Sequence, residues 1–162
     1  MRFDFIRHNN IDKRLVDEII KLKNKVWIYP YSSHLKWMEE NIDSDDVHLL
    51  LWDDADLIGY MNIVNLKGSL EAWGIGNVVI SPDRHGQKLG LLLMNLCDYF
   101  LSITDLPGIL ICKERLIGFY RKCGWSKFDK DTYVAENIIP FTVLTRHLET
   151  SKYNNLYLNR MF

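Results

Sequence analysis

A strand, a short polar turn and a long amphipathic helix follow one another directly between residues 78 and 101. Val78, Val79 and Ile80 indicate the strand, because β-branched side chains favour a buried, pleated surface. Pro82 ends it, since proline has no N–H to give to a strand ladder. Apolar residues at i, i+3, i+4 and i+7 predict the helix, namely Leu89, Leu92, Leu93, Leu96, Cys97, Phe100 and Leu101. A strand that leads straight into such a helix favours an α/β fold.

The turn between the strand and the helix has the character of an anion-binding site. The first N–H groups of a helix have no partner inside it and carry the positive end of the helix dipole. A phosphate or pyrophosphate binds readily at such an end. Arg84, His85 and Lys88 add positive or potentially positive charge. The predicted site comprises Arg84, His85, Gly86, Gln87, Lys88, Leu89 and Gly90.

Length and composition indicate one globular domain of ordinary type. The chain has 162 residues, of which 48% are hydrophobic and 25% charged, and its net charge of −1 gives no support to nucleic-acid binding. No apolar run approaches the roughly 18 residues of a membrane helix, and the N-terminus lacks the apolar segment of a signal peptide. Three scattered cysteines are expected to be reduced thiols, and five histidines show no metal-ligand spacing. We therefore expect a cytoplasmic protein with no metal and no membrane association.

Hydrophobic periodicity and turn residues predict the remaining elements in chain order. Two helices precede the first hairpin: one capped by Asp12 and reaching about Trp27, and one capped by Ser32 or Ser33 and reaching about Ile42. The buried stripe of the first is expected at Leu15, Ile19, Leu22 and Val26. The other predicted elements are strands 2–7, 47–52, 57–66, 70–80, 109–112, 125–128 and 138–148, and a short helix ending at Gly124. We expect a domain over residues 1–148, followed by a tail, 149–162, whose role the sequence leaves open.

Two segments resemble motifs of the GNAT superfamily of acetyl-CoA-dependent N-acetyltransferases. The segment His85-Gly86-Gln87-Lys88-Leu89-Gly90 is similar to the pyrophosphate-binding loop, which usually reads Gln/Arg-x-x-Gly-x-Gly/Ala. Gly90 is in register, whereas His85 and Lys88 depart from the pattern. Gly118-Phe119-Tyr120-Arg121-Lys122-Cys123-Gly124-Trp125 is similar to the family's Phe-Tyr-x-x-x-Gly-Phe/Trp segment.

The resemblance implies a mixed, mostly antiparallel sheet of six to seven strands with helices on both faces. Within this α/β (α+β) fold, the strand ending at Ile80 would pair in parallel with the strand 109–112 and then splay away from it. The glycines Gly74 and Gly76 fit a bulge in that strand. The pantetheine arm of acetyl-CoA would lie in the gap, along Val78, Val79 and Ile80.

The resemblance also implies the roles of individual residues. Tyr120 would act as the general acid that protonates the departing thiolate. Glu71 is a candidate general base, directly or through water, although a surface charge is the simpler interpretation. Lys113 stands where many members have an asparagine that contacts the cofactor arm. A backbone N–H near Val79 would hold the oxyanion formed when the amine attacks.

The acceptor implied by the resemblance is a primary amine on a small molecule. The acidic stretch 39–56 would favour a cationic amine, and four aromatic residues near the first helices offer apolar walls: Trp27, Tyr29, Tyr31 and Trp37. Two alternatives stay open: a protein N-terminus or lysine as the acceptor, and a non-catalytic module that binds CoA. The sequence leaves the oligomeric state open, a homodimer included.

Overall fold

The computed structural model describes all residues Met1–Phe162, in a mixed α/β fold. Its strands are β1 (Arg2–Arg7), β2 (Val47–Asp53), β3 (Asp56–Leu66), β4 (Ala72–Ile80), β5 (Gly108–Cys112), β6 (Ser126–Lys127), β7 (Thr132–Val134), β8 (Asn137–Ile138), β9 (Thr142–Arg146) and β10 (Leu156–Leu158). Its α-helices are α1 (Lys13–Asn24), α2 (Tyr31–Asn41), α3 (Leu89–Thr104) and α4 (Ile117–Lys122). No helix has the length and apolar character needed to cross a bilayer.

The central sheet has seven strands in the order β1-β2-β3-β4-β5-β9-β6. The β4–β5 pair is parallel, and the β1–β2, β2–β3, β5–β9 and β6–β9 pairs are antiparallel. The predicted mixed, mostly antiparallel sheet with one parallel pair is therefore confirmed. A second sheet of three strands, β10-β7-β8, was not predicted.

The chain divides into two compact units, and the first comprises Met1–Val64, Gly76–Met94 and Phe162. In it, the Asp12 side chain accepts a hydrogen bond from the backbone N–H of Leu15, which confirms the predicted cap of α1. Ile19 and Leu22 are buried as expected. Val26 was wrongly placed in the buried stripe: α1 ends at Asn24, and Val26 is 43% exposed.

The second helix begins at Tyr31, two residues before the start that a Ser32 cap would give. Pro30 precedes the first helical residue, Tyr31, and no side chain caps the helix, so the capping role given to Ser32 or Ser33 was wrong. Proline suits this position because its fixed φ and missing N–H cost nothing before the first turn. The β2–β3 hairpin turns at Asp54 and Ala55, and its register shifts beside Gly59, as in a β-bulge.

Strand β4 changes character in its middle. Its parallel pairing with β5 covers Trp73–Ile75 and Gly108–Leu110, although β4 continues to Ile80. Asn77 then adopts a left-handed backbone conformation with φ 50°. A residue of this kind breaks the extended conformation of a strand. The interruption lies next to Gly76, as the two glycines suggested.

The second unit comprises Asn65–Ile75 and Asn95–Met161. In it, α4 ends before Gly124, whose φ of 84° is the left-handed conformation expected of the C-terminal glycine. The predicted strand over 138–148 is shorter, because Pro140 separates the hairpin strand β8 from β9. The tail is folded: β10 pairs in parallel with β7, and Leu156 and Leu158 are buried.

Candidate functional site

The turn between β4 and α3 presents a row of free backbone donors. Arg84 and His85 donate their N–H groups within the turn, and the first bond of α3 runs from the Leu92 N–H to the Lys88 carbonyl. The N–H groups in between have no acceptor in the protein: Gly86, Gln87, Lys88, Leu89, Gly90 and Leu91. Gly86 and Lys88 have φ values of 81° and 60°, and alternation of such left-handed residues with right-handed ones is typical of anion-binding turns. This geometry suits a phosphate or pyrophosphate.

The three predicted cations of this turn differ in their availability. The Arg84 guanidinium pairs with the Asp53 carboxylate over 3.0 Å. The His85 Nε2–H donates to the Ile80 carbonyl over 3.1 Å, because a carbonyl only accepts. Lys88 makes no ion pair or side-chain hydrogen bond and is exposed, so its charge is available to an anion at the turn.

The segment of β4 that leads into this turn carries the predicted cofactor-binding strand residues. Val79 is buried, whereas Val78 and Ile80 are half-buried. Ahead of them, the Asn77 Nδ2 donates to the Asn62 Oδ1 over 2.6 Å. The Asn62 side chain is fully buried, and its own Nδ2 has no hydrogen-bond partner.

Tyr120 lies on α4 with 6% of its surface exposed. Burial, together with the neighbouring thiols of Cys112, Cys123 and Cys97, raises the pKa of its phenol above the ordinary value. The hydroxyl has no hydrogen-bond partner. A phenol in this state stays protonated at neutral pH and has a proton to donate.

The other two predicted site residues are exposed. Glu71 directly precedes β4 and lies six residues before Asn77 in the chain. Lys113 follows β5 and precedes a 3₁₀ turn, 114–116, without capping it through its side chain.

A pocket of about 450 Å³ lies against α1, α2 and β4, and we call it the aromatic pocket. Its lining comprises Lys23, Trp27, Tyr29, Ser33, His34, Trp37 and Asn77. Trp27, Tyr29 and Trp37 were predicted as apolar walls. Tyr31 was also predicted, but it is absent from the lining and its hydroxyl donates to the Asp17 carboxylate.

Sequence reasoning missed the two polar residues of the aromatic pocket, Lys23 and His34. Lys23 is 3% exposed, and its Nζ lies 4.4 Å from the centre of the Trp37 ring. Burial lowers the pKa of this lysine to about 8. The spacing contained a clue, because Lys23 follows the buried Ile19 by four residues and therefore lies on the same face of α1.

His34 is held by the backbone of the α1–α2 connection. Its Nε2–H donates to the Trp27 carbonyl over 3.0 Å, which leaves a lone pair on Nδ1 in the neutral ring. Burial lowers the pKa of His34 below 6.5, the Trp27 hydrogen bond opposes this, and nearby Lys23 lowers it further. A neutral imidazole at physiological pH is a competent proton acceptor.

The acidic stretch does not form a single rim. Strand β2 separates its two dense parts, 43–46 and 53–56, and seven residues of strand span roughly 20 Å. Within the first part, the Asp46 carboxylate accepts the Asp43 N–H, and within the second, Asp53 pairs with Arg84. The stretch therefore gives only indirect support to a cationic acceptor.

Comparison with known proteins identifies relatives of one kind. The model of the acetyltransferase (GNAT) family matches residues 16–125. Protein ElaA of Escherichia coli (strain K12) is 30% identical over 95 residues, which are 53% of this chain and 61% of ElaA. The chain thus spans about six tenths of the length of that curated relative. Glucosamine 6-phosphate N-acetyltransferase of Schizosaccharomyces pombe is 30% identical over 77 residues, or 46% of this chain and 69% of the relative.

Solved structures agree on the fold. The crystal structure of Escherichia coli ElaA superposes with a TM-score of 0.69 at 21% identity, and the match covers 90% of this chain and 99% of ElaA. An aminoglycoside 6'-N-acetyltransferase complexed with coenzyme A superposes with a TM-score of 0.70 at 16% identity, covering 90% of this chain and 96% of that one.

Proposed function

Because the chain belongs to the acetyltransferase (GNAT) family, we propose that this enzyme transfers an acetyl group from acetyl-CoA to the primary amine of a small molecule. Acetyl-CoA supplies the activated acyl group, and the protein supplies positioning and proton transfer. The alternatives of a peptide acceptor and of a non-catalytic CoA-binding module gain no specific support from the site.

The observation that carries the proposal is the row of free N–H groups from Gly86 to Leu91. A pyrophosphate needs several donors at once, and a turn with two left-handed residues at the start of a 16-residue helix provides them. Lys88 would add the one uncommitted charge. Arg84 would contribute only if it left Asp53, and His85 only if it left the Ile80 carbonyl.

Strand β4 beyond its last pair with β5 would bind the pantetheine arm. Pairing with β5 stops at Ile75, so the β5-facing edge of Val78, Val79 and Ile80 has no ladder partner in that strand. The arm carries amide groups that could satisfy this edge. A backbone N–H near Val79 would also stabilise negative charge on the thioester oxygen as the amine attacks.

Two proton transfers complete the reaction. An ammonium group must lose a proton before it can attack, and the departing thiolate must gain one. Tyr120 is the proposed acid, because its buried phenol is protonated and has no competing partner. Glu71, acting through water, is the base proposed from the sequence. His34 is a second candidate, since its Nδ1 lone pair lies in a residue that lines the aromatic pocket with Asn77.

The aromatic pocket is the proposed acceptor site. Asn77 lines the pocket and directly precedes Val78, the first of the β4 residues proposed to bind the pantetheine arm. Its volume of about 450 Å³ falls in the range of small-molecule pockets, which favours a small acceptor over a peptide.

A thiol-release assay tests the proposal. Purified protein is mixed with acetyl-CoA and a panel of amines that includes aminosugars, polyamines and short peptides, and free CoA is measured. We expect release that depends on a small amine, with calorimetry showing binding of CoA in the micromolar range. Absence of CoA binding would refute the donor site, and CoA binding without release for any amine would favour the non-catalytic module.

A further inference from the structure

Lys23 is a buried cation without an anion. Its side chain is 3% exposed, and its one close partner is the Trp37 ring, 4.4 Å from the Nζ. No carboxylate pairs with it, and it makes no hydrogen bond. A buried ammonium group normally has a charged or hydrogen-bonding partner, because its desolvation is costly. The Lys23 ammonium group therefore has no anionic partner within the protein.

This ammonium group belongs to a residue that lines a cavity. Lys23 shares the aromatic pocket with Trp27, Trp37, His34 and Asn77. The cation–π contact partly compensates the charge, yet it leaves all three ammonium donors unused. A ligand with an oxyanion would supply the missing acceptor.

The other lining residues of the pocket restrict the shape and the charge of the rest of that ligand. Two tryptophans and a tyrosine offer flat apolar surfaces, which suit a ring. The lysine and the neutral histidine provide no negative charge to attract a second cationic centre. Asn77, which belongs to β4, would contact the amine end of the ligand, the end nearest the acetyl group of acetyl-CoA.

We propose that the acceptor is an amine that also carries an oxyanion, a phosphate or a carboxylate, on a ring-shaped body, and that Lys23 binds this oxyanion. This inference rests on the proposed acetyl transfer and narrows its acceptor class. Lys23 is thereby a specificity-determining residue. The amine lies at the Asn77 side of the pocket, and the oxyanion lies at the Lys23 side.

The test uses pairs of amines that differ only in the oxyanion. Glucosamine 6-phosphate is compared with glucosamine, and 4-(aminomethyl)benzoate with benzylamine. Each pair is assayed for acetyl transfer with wild type and with Lys23→Met, which keeps the buried volume and removes the charge. Lys21→Met is the matched control, because Lys21 lies on the same helix with its side chain 70% exposed.

We expect the wild type to prefer the anionic member of at least one pair by tenfold or more in kcat/KM. Lys23→Met should lose this preference through a rise in KM of about ten- to a hundredfold, as for a charge-assisted hydrogen bond. The kcat/KM values of glucosamine and benzylamine, which lack the oxyanion, should be the same in Lys23→Met as in wild type. Lys21→Met should leave the kcat/KM values of all four amines unchanged. The pair that responds identifies the oxyanion as phosphate or carboxylate. An unchanged preference in Lys23→Met, or no preference in wild type, would overturn the inference while leaving the proposed transfer intact.

Calorimetry separates this inference from the proposed function. The same four amines are titrated into both proteins, with and without saturating CoA and without any turnover. Binding of an anionic amine that is lost in Lys23→Met supports the inference even if no thiol is released. Binding that is equal in both proteins, or absent in wild type, overturns it. Chemical unfolding of Lys23→Met should show that the variant is at least as stable as wild type, since it removes a buried charge.

Discussion

The Asn77 Nδ2 donates to the Asn62 Oδ1 over 2.6 Å, and this bond holds the interruption of β4 in place. Asn77 is left-handed there, with φ 50°, and Gly76 precedes it. A Cβ at Gly76 would lie 3.0 Å from the Asn62 Nδ2 and 2.9 Å from the main-chain carbonyl carbon of Phe162. The two asparagines and the glycine are therefore tightly packed at the interruption of β4, and Asn77 also lines the aromatic pocket.

Asn77→Ala should destabilise the protein by about 2–4 kcal/mol. The change puts an alanine in a left-handed conformation, which costs about 1 kcal/mol, and leaves the buried Asn62 Oδ1 without its donor, which costs about 1–3 kcal/mol. Asn77→Gly loses the same hydrogen bond but not the conformational fit, so it should be roughly 1 kcal/mol more stable than the alanine variant. Urea unfolding measures both. Equal stability of the two variants would show that the backbone conformation at residue 77 carries no cost.

Lys88→Gly should stabilise the protein by about 1 kcal/mol, because the lysine holds a φ of 60° that glycine adopts without strain. The family pattern has glycine at this place. If backbone N–H groups bind the pyrophosphate, the variant should weaken CoA binding by less than tenfold, through loss of one exposed charge. Lys88→Glu should weaken it much further by repelling the phosphates. Calorimetry at low and high salt measures both, and a complete loss of binding in Lys88→Gly would contradict backbone recognition.

Local patterns predicted the elements that local chemistry determines. The Asp12 cap, the helix α3 from Leu89 and the end of α4 just before Gly124 all depend on residues within a few positions of one another, and the structure confirms them. The prediction that Val26 is buried was wrong because the apolar spacing continues past the point where α1 ends. The prediction that Ser32 or Ser33 caps α2 was wrong because the helix already begins directly after Pro30.

The sequence patterns did not predict the pairing of strands that lie far apart in the chain. The parallel β10–β7 pair joins segments 24 positions apart in register, Leu156 with Thr132, and neither strand has a distinctive pattern of its own. Lys23 was missed for a related reason: a lysine inside a helical stripe is normally solvated, and only the packing of Trp37 over it reveals burial. The turn between β4 and α3 could be predicted because it is local, and part of the lining of the aromatic pocket could be predicted because its aromatic residues are close in sequence.

Tyr120→Phe should lower kcat by about a hundredfold, the usual scale for loss of a general acid. Affinity for acetyl-CoA should stay within twofold of wild type, since the hydroxyl has no partner to lose. Stability should also change little, because the ring keeps its buried packing. Tyr99→Phe is the matched control, on an α3 tyrosine that is 57% exposed. A normal rate in Tyr120→Phe would remove this residue from the chemistry.

Glu71→Gln and His34→Asn distinguish the two candidate bases. We expect the larger fall in kcat/KM from His34→Asn, because His34 lines the aromatic pocket and Glu71 is exposed ahead of β4. A base must be unprotonated, so the wild-type rate should fall as the pH drops through the pKa of His34, which lies below 6.5. That acidic limb should disappear in His34→Asn. Its disappearance in Glu71→Gln alone would assign the base to the carboxylate.

His48 should make the protein sensitive to mild acid. The ring is fully buried between the His8 Nδ1 and the Tyr60 hydroxyl, both at 2.9 Å, and burial lowers its pKa to about 3. In the unfolded chain His48 has an ordinary pKa near 6.5, so it binds a proton at mildly acidic pH that it does not bind in the folded protein. This contribution to stability is complete above about pH 6.5 and is lost as the pH falls from there toward 3.

His48 should lower the free energy of unfolding by about 1.4 kcal/mol for each pH unit between pH 6 and 5, where most carboxylates are still ionised. His48→Gln should be less stable than wild type at pH 7.5, because it disrupts the His8 and Tyr60 contacts, but its stability should fall less steeply below pH 6.5. Urea unfolding at half-unit pH steps measures both proteins. Parallel curves for wild type and His48→Gln would mean that the buried imidazole takes up its proton without unfolding.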